Sequence, residues 1–408
     1  MAAGRPSEVL DQDTPEDHFA QLIDRIRREP GHKNLLVEML PERIPLYRGR
    51  SSNTTIRMRG YLLSAFEEVG LPAAALPYVL EELQSGRDAY LVAAAARAVR
   101  GMGKPARDVL PFLSTAIQHI KYVDDAVSFE SYRPTWPPAS HTTALGEIVD
   151  TFAWLGREAL PALPVLEDLL DEHGVLSAGT RAKLEDVVRS LKEAGSCSVA
   201  VPPRVCCSHR SDERGAQILP VVRTKASDGV DHTGIELEDQ DGRTLTFGDF
   251  FHGKPTVVVF FYTRCDNPNK CSLTITKLGR LQQRLLDFGL DGHIQTAAIS
   301  YDPAFDLPQR LRAYGENRGA VFTESNRFLR TKGELAALQD FFELGVNFGG
   351  ALVNRHRIEL FVLDSKGRVV SSFTRLQWDL EEVLHTAHSL LDGRPRVGAP
   401  RAGRREYL

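Results

Sequence analysis

Thr256-Val257-Val258-Val259-Phe260-Phe261-Tyr262-Thr263-Arg264-Cys265, followed by a second cysteine at Cys271, decides the fold of the second half of this chain. A short, unbroken run of β-branched and aromatic residues predicts a strand buried on both faces. The run ends at a cysteine, crosses a polar loop with Pro268, and reaches the second cysteine where a helical pattern opens. A helix N-terminus favours thiolate over thiol. Thiolate is the species that attacks disulfides and binds soft metals. Cys265 and Cys271 are therefore the first candidates for chemistry, and Lys270 beside Cys271 is expected to lower the thiol pKa further.

Outward from this run, the pattern predicts strands at 235–238 and 244–247 around a turn at Asp241-Gly242, and a helix over 273–288. It continues with a strand at 294–300, a helix at 308–317, a short strand at Val321-Phe322 and a helix at 333–344. A hairpin of 357–363 and 369–374 around Asp364-Ser365-Lys366-Gly367, then a helix at 380–391, completes it. Strands, helices and a closing hairpin in this order predict an α/β thioredoxin-like domain over 225–392.

Several pieces of this segment occur in the order in which the Sco/SenC family of thioredoxin-fold copper chaperones carries them. They are Asp241-Gly242, Gly253-Lys254-Pro255, Phe261-Tyr262-Thr263-x-Cys265, Ser300-Tyr301-Asp302-Pro303 with Asp306, and His356 ahead of Ile358-Glu359-Leu360-Phe361-Val362-Leu363-Asp364. Over about residues 230–392 the chain resembles that family. The resemblance implies copper, Cu(I) or Cu(II), held by Cys265, Cys271 and His356. Two thiolates suit Cu(I), and an added imidazole accommodates Cu(II). Position 357 is arginine, where ordinary thioredoxins carry a cis-proline, which disfavours a generic disulfide reductase. One departure from the family stands out: it places three residues between its cysteines, and here there are five, Asp266 to Lys270. Cysteines so spaced meet through a loop, and pair as a disulfide only if their Cα atoms come within roughly 7 Å. Arg355 and Arg357 flank the histidine and must point away from a bound cation, as strand alternation allows. Asp302 and Asp306 read as caps of the helix that follows.

Upstream, a helical segment at 1–34 and a helical region at 35–194 carry little strand signal. Val69-Gly70-Leu71-Pro72, Met102-Gly103-Lys104-Pro105 and Leu155-Gly156-Arg157 lead to Leu76-Pro77, Leu110-Pro111 and Leu163-Pro164. Each repeat reads as a helix closed by glycine, a turn, and a new helix opened by Leu-Pro. The pattern resembles HEAT repeats, an all-α solenoid of stacked helix pairs. An insertion at 122–143 with Tyr132 and Trp136 delays the third repeat. Its aromatics either fold back on the helices or touch a partner. A linker at 195–224 holds the second constellation, Cys197, Cys206, Cys207 and His209, which could hold a metal or resolve a mixed disulfide. A basic tail at 393–408 carries Arg394, Arg396, Arg401, Arg404 and Arg405 without apolar periodicity.

A formal charge of −4 argues against a nucleic-acid binder, and no apolar stretch is long enough to span a bilayer. With no apolar leader-like run at the N-terminus the expected compartment is the cytoplasm, where paired cysteines signal metal or redox chemistry rather than standing disulfides. The expectation is a Sco-like metallochaperone, or a thiol-disulfide exchanger, whose client protein, a copper enzyme for instance, docks on the HEAT-like region. The alternative is an interaction scaffold with a degenerate thioredoxin-like half. A peroxide-reducing thiol enzyme fits less well, since the proline and spacing of its motif are missing around Cys265.

Overall fold

The computed structural model describes residues 10–196 and 232–391, apart from Trp136, Glu334 and Ala351. The 195–224 linker cysteines, His209 and the 393–408 arginines lie outside the described residues. The described chain falls into two compact units: the residues up to 196 together with 345–357, and 232–344 together with 358–391.

The first unit is helical. Helices α1 (Glu16–Arg28), α2 (Ser52–Ser64), α3 (Leu76–Ser85), α4 (Ala89–Val99), α5 (Leu110–Ile120), α6 (Ala144–Leu155), α7 (Leu163–Asp171) and α8 (Ala178–Ser196) carry it. Helices α3, α5 and α7 all open at Leu-Pro, with proline in the first turn where its missing N–H costs nothing. Gly70 and Gly156 close helices with φ of +84° and +53°, a region that a side chain disfavours. The second repeat differs: α4 stops at Val99 with Arg100 still right-handed, so Gly103 is not its cap. The insertion folds back. The Tyr132 hydroxyl donates to Glu16 Oε2 at 2.6 Å, its ring meets Phe19 and Tyr61 edge-on, and Phe129 stacks on Tyr90.

Two sets of buried charged groups inside this unit are paired. Arg59, fully buried, donates to the Leu40 carbonyl at 2.5 Å and to Glu42 at 3.2 Å. Arg97 and Arg100 bracket Glu67 and Glu147, closing a charge network between α4 and α6.

The second unit carries, among its described residues, a seven-stranded mixed sheet. Its strands are β1 (Glu236–Asp239), β2 (Thr244–Thr246), β3 (Thr256–Phe261), β4 (Gln295–Ser300) and β5 (Asn326–Thr331). After a separate hairpin, β6 (Val346–Gly349) and β7 (Leu352–His356), which belongs to the first unit, come β8 (Glu359–Leu363) and β9 (Val369–Thr374). The sheet order is β9-β8-β3-β4-β5-β1-β2. Strands β3, β4 and β5 are parallel neighbours, and β8 pairs antiparallel to β3. All six residues of β3 are buried, as its unbroken apolar run requires. Val257, Val259 and Phe261 face a core shared with α9 (Leu273–Asp287), α10 (Pro308–Glu316) and α12 (Leu380–His388). Phe260 faces the other way, against Tyr301, Phe361 and Phe342 of α11 (Ala336–Phe342).

Two expectations are corrected. The strand expected at Val321-Phe322 lies instead at β5; Val321 is 53% exposed, and its N–H donates to the Gln282 side chain at 2.8 Å rather than to a strand. Phe247 does not end β2 but starts a short helix, Phe247–Phe251, with Thr246 and Asp249 forming a capping box. Among the described residues no helix is long and apolar enough to cross a membrane.

Candidate metal centre

Parallel pairing of β3 with β4 brings Phe261 opposite Ser300, so the chain leaves both strands on one edge of the sheet. The first loop carries Cys265; the second carries Asp302 and Asp306. These carboxylates do not cap α10, which starts at Pro308 without a side-chain cap. They brace the cysteine loop instead. Asp306, fully buried, accepts from the Thr263 N–H at 3.1 Å, from the Thr263 hydroxyl, and from the Ser300 hydroxyl at 2.5 Å. Burial pushes its carboxyl up, and those hydrogen bonds pull it back in part. Asp302 accepts from Arg264 Nε at 3.0 Å, while the Arg264 guanidinium lies 4.0 Å from the Phe305 ring centre. The two side chains that precede Cys265, Thr263 and Arg264, are thus tied down before the thiol is reached.

The five-residue spacing is taken up by a change of helix type. Pro268–Ser272 forms a π-helical turn that runs into α9, and the Asn267 side chain accepts from the Asn269 N–H at 2.9 Å. A π turn holds more chain per revolution than an α turn and recurs at functional sites. Gln377 pins it from outside, donating to the Asn269 carbonyl at 2.7 Å. Gln377 carries no signal in sequence, since a lone glutamine after a strand has no pattern. Cys271 thereby turns inward, 1% exposed, and Cys265 stays partly exposed, with no disulfide joining the two.

The expectation of a low thiol pKa at Cys271 fails. Burial pushes this thiol well up, the neighbouring Cys265 adds to the rise, and Lys270 opposes both without prevailing. Burial also raises the Tyr262 phenol, helped by Cys265 and Cys271. A buried thiol of this kind reaches its charged form only with a partner that replaces the lost hydration.

His356 arrives from the other side of β3. Because β8 runs antiparallel to β3, with Leu360 opposite Val259, the residues just before β8 lie beside those just after β3. His356 ends β7, a strand with no counterpart in the expected pattern, and is 6% exposed. Its Nδ1 lies 3.0 Å from the Arg357 carbonyl, which can only accept, so Nδ1 donates and Nε2 is the acceptor nitrogen. Cys265, Cys271 and His356 each offer one ligand atom, and these atoms all lie within 4.8 Å of one another. Among the described residues this is the group of cysteine, histidine and carboxylate side chains so placed. Two soft sulfurs and one imidazole, enclosed and oriented by a backbone carbonyl, fit a copper ion. Arg355 does not oppose this: neighbouring strand residues face opposite ways, and Arg355 is paired with Glu82.

Residues 230–392 match the SCO1/SenC family model, and the C-terminal part has the thioredoxin-like fold of that family. Solved structures similar to it include a SCO1/SenC family lipoprotein from Bacillus anthracis, 22% identical, covering 39% of this chain and 96% of its own, with a TM-score of 0.34. Yeast Sco1 is 24% identical over 41% of this chain and all of its own, with a TM-score of 0.32. Bradyrhizobium japonicum ScoI, solved with copper bound, is 22% identical over 38% of this chain and 96% of its own, with a TM-score of 0.32. No curated protein matches the chain.

Proposed function

We propose that the C-terminal part binds copper through Cys265, Cys271 and His356 and passes it to a client protein. One observation carries this reading: three ligand atoms of the right softness, drawn from a loop, a helix start and a strand end, converge within 4.8 Å. The SCO1/SenC match over the same residues, and copper in Bradyrhizobium, Arabidopsis and yeast relatives, support it. In this reading the two sulfurs hold Cu(I), and the imidazole Nε2 completes a Cu(II) site. The half-buried Cys265 is the sulfur through which an incoming client thiol exchanges the ion. Cys271, buried, is the last to let go.

The same pair performs thiol-disulfide exchange without metal. Cys265 thiolate attacks one sulfur of a client disulfide and expels the other as thiolate. Cys271 then attacks the mixed disulfide, leaving a Cys265–Cys271 disulfide and two client thiols. Both electrons pass from this pair to the client. A relative described as having a disulfide switch, within a family of cytochrome c oxidase assembly proteins, supports this second use. The helical region, with its HEAT-like Leu-Pro helix starts, is assigned to client docking. A reducing compartment such as the cytoplasm keeps the pair ready to load.

Anaerobic Cu(I) titration of the reduced chain, beside the Cys265→Ser/Cys271→Ser double variant, tests the reading. One tight equivalent, lost in the double variant, is expected. Equal binding by both proteins overturns it.

A further inference from the structure

The hairpin that ends in His356 is held by bonds that the sheet does not supply. Residues 345–357 pack with the helices of the first unit. Asn347 Nδ2 donates to the Glu42 carbonyl at 3.2 Å, and the Phe348 carbonyl accepts from the Gly49 N–H at 3.2 Å. Asn354 Nδ2 donates to the Arg50 carbonyl at 3.2 Å and to Thr55 Oγ1 of α2 at 3.1 Å. Arg355 pairs with Glu82 of α3, the two side chains being 13% and 4% exposed. This pair is removed from solvent, so salt does not screen it away, and losing either partner strands a buried charge.

A two-stranded hairpin of four and five residues is marginal alone in water. The four residues Asn347, Phe348, Asn354 and Arg355 carry its attachments, and Arg355 is the immediate neighbour of His356. Alternation sends Arg355 to the helices and leaves the imidazole on the opposite face.

We propose that the helical region orients the third copper ligand: Glu82, with Thr55 and the carbonyls of Glu42 and Arg50, holds the β6–β7 hairpin that carries His356. The proposal rests on the copper reading above. Cu(I), satisfied by two thiolates, is indifferent to this hold; Cu(II), which needs the imidazole, depends on it. The helical region thereby sets how firmly the protein keeps the oxidised ion. Glu82 and Asn354 act through His356 and are positioning residues.

The test uses the full-length chain with copper ions alone as probe. Glu82→Ala, the milder Asn354→Ala, and the exchanged pair Glu82→Arg/Arg355→Glu are compared with wild type, His356→Ala and the cysteine double variant. Cu(I) affinity is read by chelator competition. Cu(II) is read by its thiolate charge-transfer absorption and by nitrogen hyperfine coupling. Hydrogen exchange over 345–357 is followed without metal. In Glu82→Ala and Asn354→Ala, Cu(II) affinity is expected to fall about ten-fold or more, or roughly 1.4 kcal/mol. The nitrogen coupling should shift toward that of His356→Ala, hairpin exchange should speed up, and Cu(I) binding should hold. The exchanged pair should recover the wild-type spectrum. Wild-type Cu(II) spectra in both Glu82→Ala and Asn354→Ala, with the cysteine variant empty, overturn the proposal while leaving the copper reading intact. Copper binding that ignores the cysteine substitutions overturns the reading and the proposal together.

Discussion

Cys265 and Cys271 share a site but not an environment. Cys271 is 1% exposed, its thiol is held neutral by burial, and Lys270 lacks the influence to reverse that. Cys265 is half-buried, and its sulfur lies 3.7 Å from the Asn267 carbonyl. Access, more than local charge, therefore decides which sulfur meets a reagent. In the metal-free, reduced protein, iodoacetamide is expected to modify Cys265 at least about ten-fold faster than Cys271, since alkylation of a buried thiol waits for local opening. Peptide mapping after timed quenching measures the ratio, and equal rates would mean that Cys271 is not enclosed. Sequence singled out the two thiols and the histidine whose ligand atoms the structure brings within 4.8 Å, but it misjudged the electrostatics. A lysine beside a cysteine is visible in one dimension; the desolvation that outweighs it depends on which way the turn points the side chain.

At the scale of elements, the loop after β3 is braced by the loop after β4. Asp306, itself fully buried, accepts three hydrogen bonds there from Thr263 and Ser300. Asp306→Ala strands buried donors and is expected to destabilise the protein by about 2–3 kcal/mol. Chemical denaturation checks the magnitude, and a change under roughly 0.5 kcal/mol would remove the bracing role. The same elements show what was legible beforehand. Strand β3 stands out because it is apolar without interruption, and the Leu-Pro helix starts because proline tolerates few positions. Strand β5 was missed because Arg327 and Arg330 interrupt its apolar residues; the structure pairs them with Asp239 and Glu238, far away in the chain. The β6–β7 hairpin was missed for a related reason. Val346-Asn347-Phe348-Gly349 and Leu352-Val353-Asn354-Arg355-His356 carry polar residues whose partners are Glu42, Arg50, Thr55 and Glu82, hundreds of positions upstream. Periodicity detects a local core face; it does not detect a surface completed by a distant segment. The aspartates misread as caps belong here too, since their partners sit on another strand's loop.

On the scale of the whole molecule, the chain passes from the second unit into the first at residue 345 and returns at 358, so the histidine ligand and the thiols are stabilised by different cores. The thiols draw their order from the β3 sheet and α9. The hairpin draws its order from pairs such as Arg355–Glu82 and Asn347–Glu42. Heating should therefore separate the two copper states. Cu(I) bound only by the native cysteine pair stabilises that native part by mass action, about 4 kcal/mol when free ion reaches roughly 1,000 times its Kd. For a cooperative part of about 150–250 residues, each kcal/mol moves Tm by about 2–4 °C, so Cu(I) should raise the transition that reports on the sheet by roughly 10 °C. The near-ultraviolet signal of Trp378, buried in the same core as Cys271, reports that transition. The Cys265→Ser/Cys271→Ser variant should show no Cu(I) shift. Cu(II), through the imidazole, should in addition raise the transition of the helices that grip the hairpin, and His356→Ala should abolish that second shift alone. Equal shifts of both transitions by Cu(I) would mean that the two cores melt as one, and the division of labour between thiols and histidine would have to be abandoned.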